Sequence, residues 1–186
     1  SRTLFWADKT TGRSKNFWLR SIGWFLVGLC DVWGYMAEES TEERKEIGDI
    51  LREAIDGILM YQDQETKMFW QLPYYPGREG NYIETSGSAM VSYALLKGAR
   101  LGILPSDYSD KGAEVFDGIA RTKMSDEGGK LNLKDICLVA GLGPENNTRR
   151  DGSYEYYISE PVVENDAKGV GPFVMAYTEM RKKGIR

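Results

Sequence analysis

The sequence predicts an all-α fold in which apolar inner helices alternate with amphipathic outer ones, the pattern of a helical toroid or a helix-pair solenoid. The run from Phe17 to Met36 is apolar on most sides and holds Gly23, Gly28 and Gly34, small residues that let a neighbouring helix approach closely. The next stretch sets Ile47, Ile50, Leu51, Ile55, Ile58 and Leu59 in a stripe opposite charged positions, the mark of a helix with one buried face. No strand pattern of comparable length competes with these helices, and no short repeat marks a solenoid. With 186 residues the chain can bury one ordinary core.

Taken in order, residues 1–16 read as a loop, with turn material in Asp8-Lys9-Thr10-Thr11-Gly12 and a cap for the first helix in Ser14 or Asn16. Ser40 and Glu43 have the spacing of a capping box for the second helix. Met68 to Leu72 and Asn81 to Ile83 read as short extended pieces on either side of Pro73-Tyr74-Tyr75-Pro76-Gly77, a loop suited to a binding surface. A second inner helix runs from Thr85 to Leu101 and stops at Gly102. Ser109 caps an outer helix through Met124, with Ala113, Phe116, Ile119 and Ala120 inward. Ser125 to Lys168 is too long for an idle connection, and its strand candidates lie near Lys130 to Leu133 and Tyr154 to Ile158. It gathers polar groups able to meet a sugar: Arg149, Arg150, Asp151, Tyr154, Glu155, Tyr156, Asn165 and Asp166. The last helix starts at Gly171-Pro172, with proline in its first turn, and stops at Gly184.

Composition excludes several chemistries. There is no histidine, which removes Ser-His-Asp and Cys-His catalysis and the usual zinc sites; no metal and no cofactor is expected. The 28 acidic residues exceed the 24 basic ones, which argues against nucleic acid as the main partner. Cys30 and Cys137 sit among apolar neighbours without metal-ligand spacing and read as buried thiols. Arg20 and Asp31 inside the most apolar segment favour a buried helix over a membrane span. No signal peptide is visible, so the expected compartment is the cytoplasm, with the periplasm the alternative. The chain opens on Ser1 and reaches an apolar helix almost at once, which points to a fragment of a longer protein.

The densest binding chemistry is Phe17-Trp18-Leu19-Arg20-Ser21-Ile22-Gly23-Trp24. Helical spacing puts Phe17, Arg20, Ser21 and Trp24 on one face, a fork of donors one turn from an indole. That pairing suits a flat, acidic ligand such as a uronic acid; the competing reading is a core tryptophan and a structural arginine. Carboxylates suited to acid/base work stand at Asp8, Glu84, Asp151, Glu155, Glu160 and Asp166, with their pairing in space undetermined. Gly141-Leu142-Gly143 lacks the rest of a dinucleotide fingerprint and reads as a turn, and Asn146-Asn147-Thr148 matches a glycosylation sequon, a common chance pattern.

Five segments in order, Trp6-Ala7-Asp8, the octapeptide from Phe17 to Trp24, Glu84 to Ala89, Arg150 to Tyr157 and Asn165 to Phe173, closely resemble the unsaturated rhamnogalacturonyl hydrolases, glycoside hydrolase family 105. The resemblance implies an (α/α)6 barrel, with residues 1–186 about its C-terminal half and short β pieces in the loops. It also implies release of a 4,5-unsaturated uronic acid from the non-reducing end of lyase-generated pectin oligosaccharides, an Asp protonating the double bond before water adds. By position Trp18, Arg20 and Trp24 match the family's substrate-binding residues, and Asn165, Asp166 and Lys168 are further site candidates. The family's catalytic Asp and a nearby histidine belong to the preceding half, so no catalytic residue is assigned here; Asp8 is the one conceivable acid. The expected partners are the oligosaccharide and either the missing half of the barrel or a second copy, with no nucleic acid and no membrane. The alternative function is a noncatalytic carbohydrate-binding or interaction module on a partial toroid.

Overall fold

Residues 4–184 are described by a computed structural model of the chain. Three helices run parallel: α1 (Leu19–Tyr35), α3 (Thr85–Arg100) and α6 (Ala167–Lys183). Their direction follows from their side-chain pairs, Arg20 with Ser86 and Lys97 with Asp31 between α1 and α3, and Arg100 with Glu179 between α3 and α6. Behind them, α2 (Thr41–Leu59) and α4 (Tyr108–Lys123) run the opposite way. The start of α2 meets the end of α1 where Trp33 Nε1 donates to the Arg44 carbonyl, while Leu96 packs against Gly112 near the start of α4.

The hub is α3, buried at every position from Thr85 to Leu96. Its contacts with α1 are close because glycines notch both helices. A Cβ on Gly23 would lie 2.8 Å from the Met90 side chain, and one on Gly87 would lie 2.5 Å from Leu19 Cγ. Leu19, Leu26 and Cys30 of α1 join Leu51 and Ile55 of α2, and Val115 and Ile119 of α4, in one continuous core. Each fully buried leucine or isoleucine there contributes about 1.5–3 kcal/mol. Cys30 and Cys137 are both buried free thiols, and burial pushes Cys30 up to about 12.

Two small antiparallel sheets and one short helix complete the chain. β1 (Met124–Glu127) pairs with β2 (Lys130–Leu133) through a turn whose Gly128 and Gly129 both have positive φ. β3 (Ile136–Cys137) pairs with β4 (Val162–Val163), and α5 (Tyr154–Ile158) precedes that last strand. The two extended pieces expected around residue 75 meet in a Trp70–Ile83 bridge, beyond which the Asn81 amide accepts from Leu72 N and donates to the Leu72 carbonyl.

Five local expectations need correction. Trp18, not Ser14 or Asn16, stands at the N-cap of α1 and makes no side-chain cap bond. The segment 154–158 is helical because the Ser153 hydroxyl accepts from Tyr156 N, and Tyr154, Tyr156 and Tyr157 are all buried in one aromatic cluster. Ser40 precedes α2 but does not cap it through its side chain: a Thr41 N to Glu39 O bond of 2.9 Å holds it in a tight turn. The outer helix α4 starts one residue before Ser109, entered through a turn in which Tyr108 N donates to Pro105 O. The final helix starts at Ala167, where the Asp166 carboxylate caps Lys168 N, and Pro172 lies inside it, buried. Proline denies one bond to the Lys168 carbonyl, a loss confined to the helix start. Gly184 ends α6 in the left-handed region, as expected.

Candidate functional site

The parallel arrangement brings the starts of α1, α3 and α6 to one end, where the helix dipoles present their positive ends. Glu84 organises this end. Fully buried, its carboxylate accepts from Ser86 N, Ser86 Oγ and Gly87 N at the start of α3, and from Cys137 N of β3 at 3.1 Å. Sequence alone places Glu84 among candidate acids or bases; in the fold it is an N-cap that also pins a strand.

Arg20 lies beside it, 2% exposed. Its Nη1 donates to Ser86 Oγ and to the Cys137 carbonyl, and its Nη2 donates to the Leu138 carbonyl at 3.4 Å. Its guanidinium also sits 4.9 Å from the Trp18 ring centroid. Trp18 is buried, stacks on Tyr157 at 6.0 Å, and donates from Nε1 to Gln71 Oε1 at 3.0 Å. Trp24, one turn on, keeps an open ring at 48% exposure. Phe17 does not share the Arg20 face, because α1 begins two residues later and the phenyl ring turns to Tyr61 and Tyr74 instead.

On α6, Lys168 Nζ lies 2.7 Å from the Asp166 carboxylate. That bond, with the Lys168 N–H and the more distant charge of Arg20, holds the Asp166 carboxyl below its usual range against some burial. Arg20, Asp166 and Lys168 therefore share one electrostatic neighbourhood. Asn165 has positive φ and serves the chain: its Oδ1 accepts from Leu133 N, and its Nδ2 donates to Asn132 Oδ1.

The other flagged carboxylates are each engaged by a neighbour. Asp8 is exposed and closes its own turn, accepting from Thr10 N, Thr11 N and Thr11 Oγ1. The Thr11 bonds lower its pKa, which favours the ionised form over a proton donor. Asp151 pairs with Lys15 at 3.0 Å and sits at about 2, held there chiefly by the Ser153 side chain. Glu155 meets Arg78, and buried Glu160 meets Arg149 at 2.8 Å. Gln71 escaped sequence reasoning altogether. Its backbone takes the first N–H of α1 while its amide holds Trp18, and no local pattern announces either contact. Among the described residues no group of His, Cys, Asp and Glu could hold a metal ion, and no helix is long and apolar enough to cross a membrane.

The three parallel helices and their antiparallel backing define a two-layered, mostly helical architecture. The chain belongs to Glycosyl Hydrolase Family 88, which it matches over residues 1–183. It is 39% identical over 184 residues to the 24.9 kDa protein in the picA locus of Rhizobium radiobacter, covering 96% of this chain and 78% of that one. A family 105 glycoside hydrolase from C. acetobutylicum ATCC 824 superposes with a TM-score of 0.92 at 39% identity, covering 97% of this chain. This chain spans 50% of that structure's length. A possible family 105 member from Salmonella enterica serovar Paratyphi A shares the fold at 20% identity, with a TM-score of 0.76 over 90% of this chain and 40% of that one. These neighbours are (α/α)6 barrels.

Proposed function

We propose that this chain supplies about half of an (α/α)6 barrel that hydrolyses unsaturated uronyl oligosaccharides of the rhamnogalacturonan type. What supports the reading is that Trp18 and Arg20 at the start of α1 and Asp166 and Lys168 at the start of α6 stand at the same end of three parallel helices, with Trp24 one turn along α1, in a chain 39% identical to a family 105 hydrolase. The open Trp24 ring offers a face for a sugar, beside an end where Glu84 and Asp166 cap α3 and α6 and Asp166 pairs with Lys168. Arg20 acts from below by fixing β3 and biasing the local charge. In the reaction an Asp of the complementary half protonates the enol ether double bond and water adds to the neighbouring carbon. The hemiketal so formed opens to free the sugar. The engagement of every flagged carboxylate supports placing that acid outside residues 1–186.

The test is the ultraviolet absorbance of an unsaturated uronyl disaccharide, which disappears when water adds to the conjugated double bond. The complete barrel should abolish it, whereas residues 1–186 alone should bind the disaccharide without turnover. Turnover by this chain alone would refute the placement of the acid. Binding to a saturated uronide as tight as to the unsaturated one, without turnover by the complete barrel, would favour a noncatalytic carbohydrate-binding module.

A further inference from the structure

Gln71 is fully buried, and every polar group it carries but one is engaged. Its N–H donates to the Tyr82 carbonyl at 2.8 Å, its carbonyl accepts from Leu19 N at 3.1 Å, and its Oε1 accepts from Trp18 Nε1 at 3.0 Å. An indole N–H can only donate, so the amide has one permitted orientation, which turns Nε2 inward. There Nε2 is buried with no hydrogen-bond partner among the described residues, and so is the Tyr82 hydroxyl. Both groups lie against the Cys137 thiol, whose pKa is raised by burial while Gln71 and Tyr82 act in the opposite direction. A glutamine kept for stability alone would meet a partner at each end, because an unpaired buried amide is destabilising.

The Trp18 ring needs the Gln71 bond for a geometric reason. The ring meets Tyr157, stacked at 6.0 Å, and the Arg20 guanidinium, 4.9 Å from its centroid, contacts that leave it free to slide in its own plane. Its edge carries one polar atom, and Gln71 holds that atom. The same residue takes the first N–H of α1, so ring and helix start are set from one point. We infer that Gln71 is a positioning residue, which fixes the Trp18 ring and the start of α1 for the substrate and leaves its own Nε2 unpaired in doing so. The inference rests on the proposed function, which puts Trp18 in the site.

Gln71→Met in the complete barrel keeps the length of the side chain and removes the acceptor. KM for the unsaturated uronyl disaccharide should rise roughly tenfold or more, the scale of one hydrogen bond, with kcat within about threefold of wild type. A merely structural glutamine would lower kcat with the folded fraction and leave KM alone. Gln71→Glu, which keeps an oxygen for the indole and offers a second to the Tyr82 hydroxyl, should hold KM within about threefold. In a Trp18→Phe background, which has no indole N–H, Gln71→Met should move KM less than about twofold. Hydrogen exchange reads the bond without turnover. The Trp18 indole N–H, identified by its absence in Trp18→Phe, should exchange roughly tenfold faster in Gln71→Met, while that of Trp33, held by the Arg44 carbonyl, stays unchanged. An unchanged KM, a Gln71→Glu variant no better than Gln71→Met, or an equal rise in both backgrounds overturns the inference. So does Trp18 exchange that stays at the wild-type rate or accelerates no more than that of Trp33. A wild-type barrel that leaves the disaccharide's absorbance unchanged refutes the proposed activity instead, and the exchange rates then decide on Gln71.

Discussion

At the residue scale, the two buried groups at the helix starts make opposite demands on a substitution. Glu84→Gln keeps the size of the side chain but replaces an oxygen that accepts with an amide that donates, against four donors at Ser86, Gly87 and Cys137. It should cost about 2–4 kcal/mol, the range for losing a cap together with a buried charged hydrogen bond, read as a fall in the denaturant midpoint. Arg20→Lys keeps charge and loses the fork that reaches Ser86 and two main-chain carbonyls. The geometry predicts a stability loss of about 1–3 kcal/mol with ligand affinity little changed. Calorimetry and a binding isotherm on the same variant decide the matter, because a direct substrate grip would move affinity and leave melting where it was.

At the scale of elements, glycines separate interfaces that are closed from surfaces that are free. Gly87→Ala drives a methyl into Leu19 and toward the Arg20 backbone nitrogen at 3.1 Å, so overpacking of about 1–3 kcal/mol is expected. Gly57→Ala, with nothing within 4 Å, should instead stabilise α2 by about 0.5–1 kcal/mol through helix propensity. Thermal melts of the pair compare them directly. The inner helices were legible because an all-apolar run with small residues has one physical reading, and α1 and α3 differ from expectation by only a residue or two at their ends. Short elements were less so. Aromatic residues at 154, 156 and 157 fit a strand as well as a helical turn, and only the Ser153 cap and the tertiary cluster settle it. Of the candidate site only the residue types were legible: burial of Arg20 against the Cys137 and Leu138 carbonyls depends on β3, whose two residues carry no sequence signal.

At the scale of the whole molecule, the N-terminal segment is clasped to the 138–152 loop by contacts more than 130 residues apart: Trp6 Nε1 to the Gly143 carbonyl, Asn16 Nδ2 to the Gly152 carbonyl, and Lys15 to Asp151. Asp151 titrates at about 2 in the folded chain against an ordinary 3.8. Its contribution is therefore complete above the ordinary value and is lost as pH falls toward 2. Proteolytic cutting within residues 4–16 should rise over that window, and Asp151→Asn should show the raised rate at neutral pH. The hub helix bears on evolution as much as on stability. A helix buried at consecutive positions from Thr85 to Leu96 has no solvent side on which sequence can drift. A saturation-mutagenesis map of this chain should show an unbroken block of intolerance there, while α2 and α4, buried on one face only, should tolerate change with a period near 3.6 residues.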